Sequence, residues 1–378
     1  MTTVYLIRHA EAEGNVLRRA QGHWNGSLTE RGKKQLISLK ERFSDIKIAA
    51  VYASALDRAQ DTAAILCGGE NHPEFVLTEP NLIELNLGVW ESQSWDYLRT
   101  LYPTESALLV EDPASWSVQG SEDFKAAAER MYKAISGIAE KHEGKTIAIV
   151  SHGMAIRAFL TYYMHISPAE KSKLRHGDNT SVTLAYYDNG EFNFEYYNDA
   201  GHLSPEISTF YNQRELRKLD VYIKPLDLNI PENASYYINC YRNSWIEAHG
   251  SDRSFFPSAY LSSAKSRIAC GKGKVFVAGN DASRYGILEL DRERESKDKM
   301  GLLSLIYVEP EYRRSGLGLT LIGCAEAYFA NLKREKLFLH VAVTNISAIK
   351  FYENAGFDCV ERQQGAVSAL LRFEKRLK

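Results

Sequence analysis

Hydrophobic and polar positions change their period a little past the midpoint of the chain. The first part alternates short apolar runs with helical stretches. Val4–Ile7, Ile48–Ala53 and Thr146–Val150 read as buried strands. Thr29 is placed as the N-cap of a helix through Phe43, with Leu36, Leu39 and Phe43 on one face. Further helices are expected from about Asp57 to Leu66, over Ser121–His142 with Ser121 as N-cap, and over Gly153–Met164. Ser181–Tyr187 and Phe192–Tyr197 flank Asp-Asn-Gly and predict a hairpin. Strands alternating with helices imply an α/β layered domain with a mostly parallel sheet.

The pattern then breaks. Asn198–Asp220 is polar and charged, and is expected to hold a connecting helix around Thr209–Leu219. Beyond it the order is strand Val221–Ile223, helices Pro231–His249 and Ser258–Ile268, and strands Val275–Ala278, Tyr285–Leu290 and Leu302–Val308. A helix Gly316–Lys333, a strand Leu337–Val343, a helix Ile346–Ala355 and a closing strand Val367–Lys375 follow. This is an α+β pattern. The expected division is a domain over 1–200, a linker over 201–219 and a second domain over 220–378.

Composition narrows the class. A length of 378 residues favours two domains, and 44% hydrophobic with 25% charged residues suits two packed cores. A net charge of -2 and the lack of a Lys/Arg cluster argue against nucleic-acid binding. Five scattered cysteines, none at metal spacing, point to reduced thiols and no metal. Without a signal-peptide pattern or an apolar run of bilayer length, the expected location is the cytoplasm, with no membrane partner.

Four stretches carry candidate chemistry in the first domain. LIRHAEAEGN delivers Arg8 and His9 to a strand end, where α/β sheets place ligands. A guanidinium can fork onto phosphoryl oxygens while an imidazole attacks phosphorus. ASALDRAQDTA puts Arg58 at a helix start, LIELNLGVWE puts Glu84 in a loop, and VSHGMAIRAFL puts His152 at another strand end. Singly, each has a plainer reading: an ion-pair partner, a helix-face charge, a core histidine, a solvated carboxylate. Glu91, in the same loop as Glu84, is an alternative acid. The other histidines are expected on surfaces or in loops.

Together these stretches, with QGHWNGSLTERG and NTSVTL, resemble the histidine phosphatase superfamily, also called phosphoglycerate-mutase-like, over about residues 1–200. The resemblance implies a three-layer α/β fold. It implies His9 as nucleophile, and Arg8, Arg58 and His152 around the phosphoryl group. Asn15 would bond the phosphate, Gln21 and Gly22 would lie beside the substrate, and Glu84 would serve as general acid and then base. Ala10 and Ala12 stand where the family commonly has Gly and Thr, which bears on substrate choice. Leu85–Val150 lacks the long basic, Pro-rich insertion of true mutases, so hydrolysis is favoured over phosphotransfer. A phosphate-recognition module without catalysis is the other alternative.

In the second domain, LLSLIYVEPEYRRSGLGLTLI ends a strand at Val308 and opens a helix through RRSGLG. Backbone N–H groups from Arg314 to Leu319, through Gly316, Leu317 and Gly318, suit a pyrophosphate. With NISAIKFYENAGF, this run resembles the GNAT N-acetyltransferase family over about 220–378. The resemblance implies acetyl-CoA as co-substrate, bound by Val308 and the RRSGLG run, with Arg313 at the start of the RxxGxG pattern. Asn345 would contact the cofactor and Tyr352 would protonate the departing thiolate. Glu289 and Glu309 are both candidates for the base that deprotonates the amine. The expected partners are a small phosphate ester and an amine.

Overall fold

The computed structural model describes residues 1–165 and 168–377. The chain forms two compact units, Met1–Ser92 with Tyr102–Arg214, and Gln93–Leu101 with Glu215–Lys378.

The first unit holds six strands: β1 (Thr2–Arg8), β2 (Ala50–Ala53), β3 (Val76–Thr78), β4 (Thr146–Ser151), β5 (Val182–Asp188) and β6 (Glu191–Asp199). Their order is β3-β2-β4-β1-β5-β6. The first four run parallel, and β5 and β6 form the antiparallel edge. Successive side chains of β4 feed opposite faces, as strand geometry requires. Ile147 and Ile149 pack with Met131, Ile135, Ile156 and Phe159 on one face. Ala148 and Val150 pack with Leu39, Phe43, Ala59 and Ala63 on the other. Burial on both faces explains the near-continuous apolar runs and makes the unit three-layered. Asn189 and Gly190, both at positive φ, turn the β5–β6 hairpin.

Several details differ from the sequence reading. The long helix starts at Phe124, capped by Asp123, whose side chain accepts from Ala126 N. Ser121 instead bridges to Leu87. Residues 201–214, expected to be linker, belong to the first unit. Hydrogen bonds to buried carboxylates hold them: Thr209 Oγ1 donates to Glu11 Oε2 at 2.8 Å, and Ser208 Oγ to Asp178 Oδ2 at 2.6 Å. The expected helix there is two short ones, Thr209–Asn212 and Arg214–Lys218. Gln93–Leu101, inside the first sequence domain, groups with the second unit. Its helix Trp95–Leu101 packs there: Arg99 Nη1 donates to Val221 O at 3.1 Å and Thr100 Oγ1 to Ile223 O at 2.9 Å.

The second unit holds β7 (Tyr222–Pro225), β8 (Gly273–Gly279), β9 (Arg284–Asp291), β10 (Met300–Val308), β11 (Lys336–Ala342), β12 (Asp358–Gln363) and β13 (Leu370–Arg376). Their order is β12-β13-β11-β10-β9-β8-β7. All neighbours are antiparallel except β10 and β11. That parallel pair is joined only from Met300–Leu302 to Lys336–Phe338. Beyond this, the two strands no longer pair with each other. Helices Pro231–His249 and Pro257–Ala269 supply Tyr237, Cys240 and Ala264 to a core with Val275, Val277, Ile287 and Leu305. No helix of the described residues is long and apolar enough to cross a membrane.

Candidate active sites

The first site follows from register. In the parallel pair β1–β4, Arg8 lies opposite Ser151, so the next residues, His9 and His152, leave neighbouring strand ends together. Their ring centroids are 5.2 Å apart. His9 Nδ1 lies 2.7 Å from Ala10 O. A carbonyl only accepts, so Nδ1 carries the proton and Nε2 keeps its lone pair. His152 is fully buried, and neither ring nitrogen has a partner among the described residues. Burial pushes the His9 imidazole well below its ordinary range, with Arg58 and Arg8 adding to the effect. Burial does the same to His152, followed by Arg58, His9, Arg130 and Arg8. Both rings are therefore neutral in a cationic enclosure suited to an anion.

Arg58 opens the helix Asp57–Ala64 and is fully buried. Its Nη1 donates to Trp24 O at 3.0 Å and its Nη2 to Gly22 O at 2.8 Å. Desolvation lowers its pKa to about 10, against the pull of Glu84 and Glu91. Arg8 Nη1 donates to Gly177 O at 2.6 Å. A Cβ on Gly153 would lie 3.3 Å from Arg8 Nε, so the helix start closes tightly over that guanidinium.

Glu84 sits against the same helix start. Its carboxylate accepts from Ala155 N at 2.7 Å, Met154 N at 3.1 Å and Leu85 N at 2.9 Å. An acidic group at the N-terminus of Gly153–Tyr163 is favoured by the free amides there. Glu91 does different work. Its oxygens accept from His23 N, Trp24 N and Leu87 N, tying two loops together. Gly22 is required by that tie, because a Cβ there would meet Glu91 Oε1 at 2.1 Å.

Asn15 Oδ1 accepts from Ala12 N at 2.9 Å and from Asn179 Nδ2 at 3.3 Å. Both amide atoms of Gln21 are buried without a partner among the described residues. Sequence reasoning did not assign Asn179, although NTSVTL contains it. Its Nδ2 also donates to His9 O at 3.0 Å, and its Oδ1 has no partner among the described residues. Arg130 and Glu122, which brace the Glu84 loop, were not singled out either, since lone helix and loop charges carry no motif. His142 and His202, expected at the surface or in loops, bond Tyr52 and Thr180.

The second unit places its residues differently. Gly316, at φ 99°, precedes the helix Leu317–Asn331, and Arg314 is also at positive φ. This winding leaves the amides of Leu317, Gly318 and Leu319 at a helix N-terminus. Gly318 is demanded by packing, since a Cβ would lie 2.9 Å from the Phe351 ring. Arg313 Nε donates to Val308 O at 2.9 Å and Nη2 to Glu247 Oε1 at 2.6 Å. Asn345 caps the helix Ile346–Asn354, accepting from Ala348 N at 3.1 Å. Tyr352 is buried against Phe351, Phe357 and Phe373, and burial raises its phenol. Glu289 is enclosed between Tyr237 OH, at 2.9 Å, and the Arg267 guanidinium. Glu309 is half-buried, with Cys240 Sγ 3.8 Å away. Parted β10 and β11 beside a glycine-initiated helix fit a thioester cofactor that presents amides along its arm and a pyrophosphate at its end. Among the described residues, no group of three or more His, Cys, Asp or Glu could hold a metal.

A three-layer sheet with paired histidines at adjacent strand ends has the phosphoglycerate-mutase-like fold. The chain belongs to the histidine phosphatase superfamily (branch 1), which matches residues 4–200, and it carries a domain of the acetyltransferase (GNAT) family, matched at residues 239–357. One relative is the "Probable phosphoglycerate mutase GpmB" of Erwinia tasmaniensis, 33% identical over 46% of this chain and 80% of that protein. Another is the "Metal-independent phosphoserine phosphatase" of Arabidopsis thaliana, 30% identical over 54% of this chain and 84% of that one. Bacillus stearothermophilus YhfR has the same fold in its solved structure, with a TM-score of 0.51 and 31% identity, covering 54% of this chain and all (100%) of that one.

Proposed function

We propose that the first unit hydrolyses phosphate monoesters through a phosphohistidine. The observation carrying this reading is the pair of neutral, buried imidazoles between two guanidiniums, one ring holding a free Nε2. His9 Nε2 attacks phosphorus as the ester P–O bond breaks, and the leaving oxygen takes the proton of the Glu84 carboxyl. Water then attacks the phosphohistidine. Its proton goes to Glu84, the P–N bond breaks, and orthophosphate leaves with His9 neutral again. Arg8, Arg58 and His152 offset the phosphoryl charge, and Asn15 and Gln21 complete its hydrogen bonds. Hydrolysis is preferred to mutase transfer because residues 85–150 lack a long basic insertion to shield the intermediate.

The second unit is proposed to transfer an acetyl group from acetyl-CoA to an amine. Bound acetyl-CoA supplies an activated thioester. Val308 and the amides from Arg314 to Leu319 hold it, with Asn345 at the opposing helix start and Tyr352 near the thiolate. Glu309 is the better-placed base, because Glu289 is already paired with Arg267. Both activities are proposed to serve metabolites that join a phosphate to an amine.

The test is direct. An aryl phosphate should label the protein in a burst that is acid-labile and alkali-stable. Phosphate binding without a burst favours a recognition module, and transfer to glycerate acceptors favours a mutase. Millimolar acetyl-CoA should raise the melting temperature; no shift counts against the transferase.

A further inference from the structure

We propose that Arg130 and Glu122 are positioning residues that fix Glu84 for proton transfer, an inference resting on Glu84 being the general acid. Glu84 lies in an irregular stretch, after the short turn Pro80–Leu82, so its own backbone belongs to no helix or strand ladder. Arg130 holds that backbone from the helix Phe124–Lys141.

A guanidinium has five N–H donors, and here all five are engaged. Nη1 donates to Asn81 O at 2.8 Å and Ile83 O at 2.7 Å. Nη2 donates to Glu84 O at 3.1 Å and Glu122 Oε2 at 2.8 Å, and Nε to Glu122 Oε1 at 2.6 Å. Glu122 holds the other side of the same stretch. Its backbone N donates to Asn86 O at 2.9 Å, and its Oε2 accepts from Asn86 N at 3.4 Å. The carbonyl left between Arg130's targets, Leu82 O, accepts from Ser151 Oγ at 2.7 Å on β4, one residue before His152.

An ordinary surface ion pair contributes little. This one is mostly buried, bidentate, and grips the backbone on both sides of the carboxylate. A lysine could not reproduce a five-point grip. The clamp therefore fixes the backbone from which the Glu84 carboxyl, held at its own end by the amides of Met154 and Ala155, reaches the leaving oxygen, without touching substrate itself.

Leaving-group dependence separates positioning from general damage. A p-nitrophenolate departs without a proton; an alkoxide does not. With β-glycerophosphate, Glu84→Gln should lower kcat/KM, which covers only the steps up to loss of the leaving group, by roughly 10²- to 10⁴-fold, and far less with p-nitrophenyl phosphate. Arg130→Lys should lower kcat/KM about 10- to 100-fold on the alkyl ester, with little change on the aryl ester. The double variant should lose no more than Glu84→Gln alone. Glu122→Gln, a smaller perturbation, should show the same split more weakly and serves if Arg130→Lys misfolds. Equal losses on both esters, or additive losses in the double variant, would overturn the clamp. If Glu84→Gln itself shows no split, Glu84 is not the acid, and the underlying assignment fails with it.

Discussion

The two units keep their chemistry in different kinds of atom. In the first, side chains are left open: both nitrogens of His152, both amide atoms of Gln21 and Oδ1 of Asn179 lack partners among the described residues. Buried polar groups without partners are costly, and a site that holds several is suited to a polar ligand. In the second, the singled-out side chains are already engaged. Arg313 holds Val308 O, Asn345 caps a helix, Glu289 is paired and Tyr352 is packed. What stays open there is main chain, along β10 and β11 past Leu302 and Phe338 and at the amide of Gly318, since Leu317 N donates to Ser315 Oγ at 3.3 Å and Leu319 N to Gly316 O at 3.1 Å. A side-chain site should fail when one atom is removed. A main-chain site should fail only when the backbone path changes.

The largest expected effect tests the first half of that contrast. His9→Ala removes the nucleophile and should lower phosphate release by about 10³-fold or more. Acetyl-CoA binding should be unchanged. Phosphate release that survives the substitution would show that the open imidazoles are not the reacting groups.

Next comes the pH dependence of stability. Both imidazoles are held well below the ordinary 6.5, first by burial and then by Arg58 and other neighbouring groups. Below that value the unfolded chain binds protons that the folded chain refuses. The contribution is thus complete above about pH 6.5 and is lost as pH falls toward the folded values. Each imidazole contributes up to about 1.4 kcal/mol per pH unit in that window. Chemical denaturation at successive pH values should show the slope, and His152→Asn should reduce it by up to about 1.4 kcal/mol per pH unit, while His202, lowered to about 4 by burial, keeps its own share. An unchanged slope would mean that His152 is not buried neutral.

The contrast also explains what the sequence disclosed. Arg8, His9, Arg58 and His152 were legible because each follows an apolar strand or opens a helix, so the period of the pattern places it. The parted β10–β11 pair was not, since hydrogen bonds that fail to form leave no residue signature. Arg130 and Glu122 were hidden among ordinary helix and loop charges. β3 and β12 were missed because three residues, or an exposed strand such as Asp358–Gln363, show no alternation. Residues 201–214 look like linker because their anchors, Ser208 and Thr209, are polar side chains bonding buried carboxylates, not apolar ones.

A smaller effect probes the main-chain site. Gly316→Val forces a β-branched residue to φ 99°, which costs about 1–3 kcal/mol or shifts the turn. The acetyl-CoA-induced rise in melting temperature should shrink markedly, while phosphatase activity stays at the parent level. A full thermal shift in a folded variant would show that the amides after Gly316 do not meet the cofactor.

The smallest effect is the sharpest for the second half of the contrast. Tyr352 stands where a proton donor is expected, yet it packs against Phe357 and Phe373 and its phenol is raised by burial. A hydroxyl made reluctant to ionise can still donate a hydrogen bond, but it is a poor proton source for a thiolate, whose ordinary affinity for protons is lower. If the main chain carries this site, Tyr352→Phe keeps the packing and should change kcat for acetyl transfer less than about threefold, with stability within about 1 kcal/mol. Steady-state CoA release at saturating acetyl-CoA measures it. A loss of about 100-fold with unchanged KM would reverse the conclusion and make the phenol a transition-state donor.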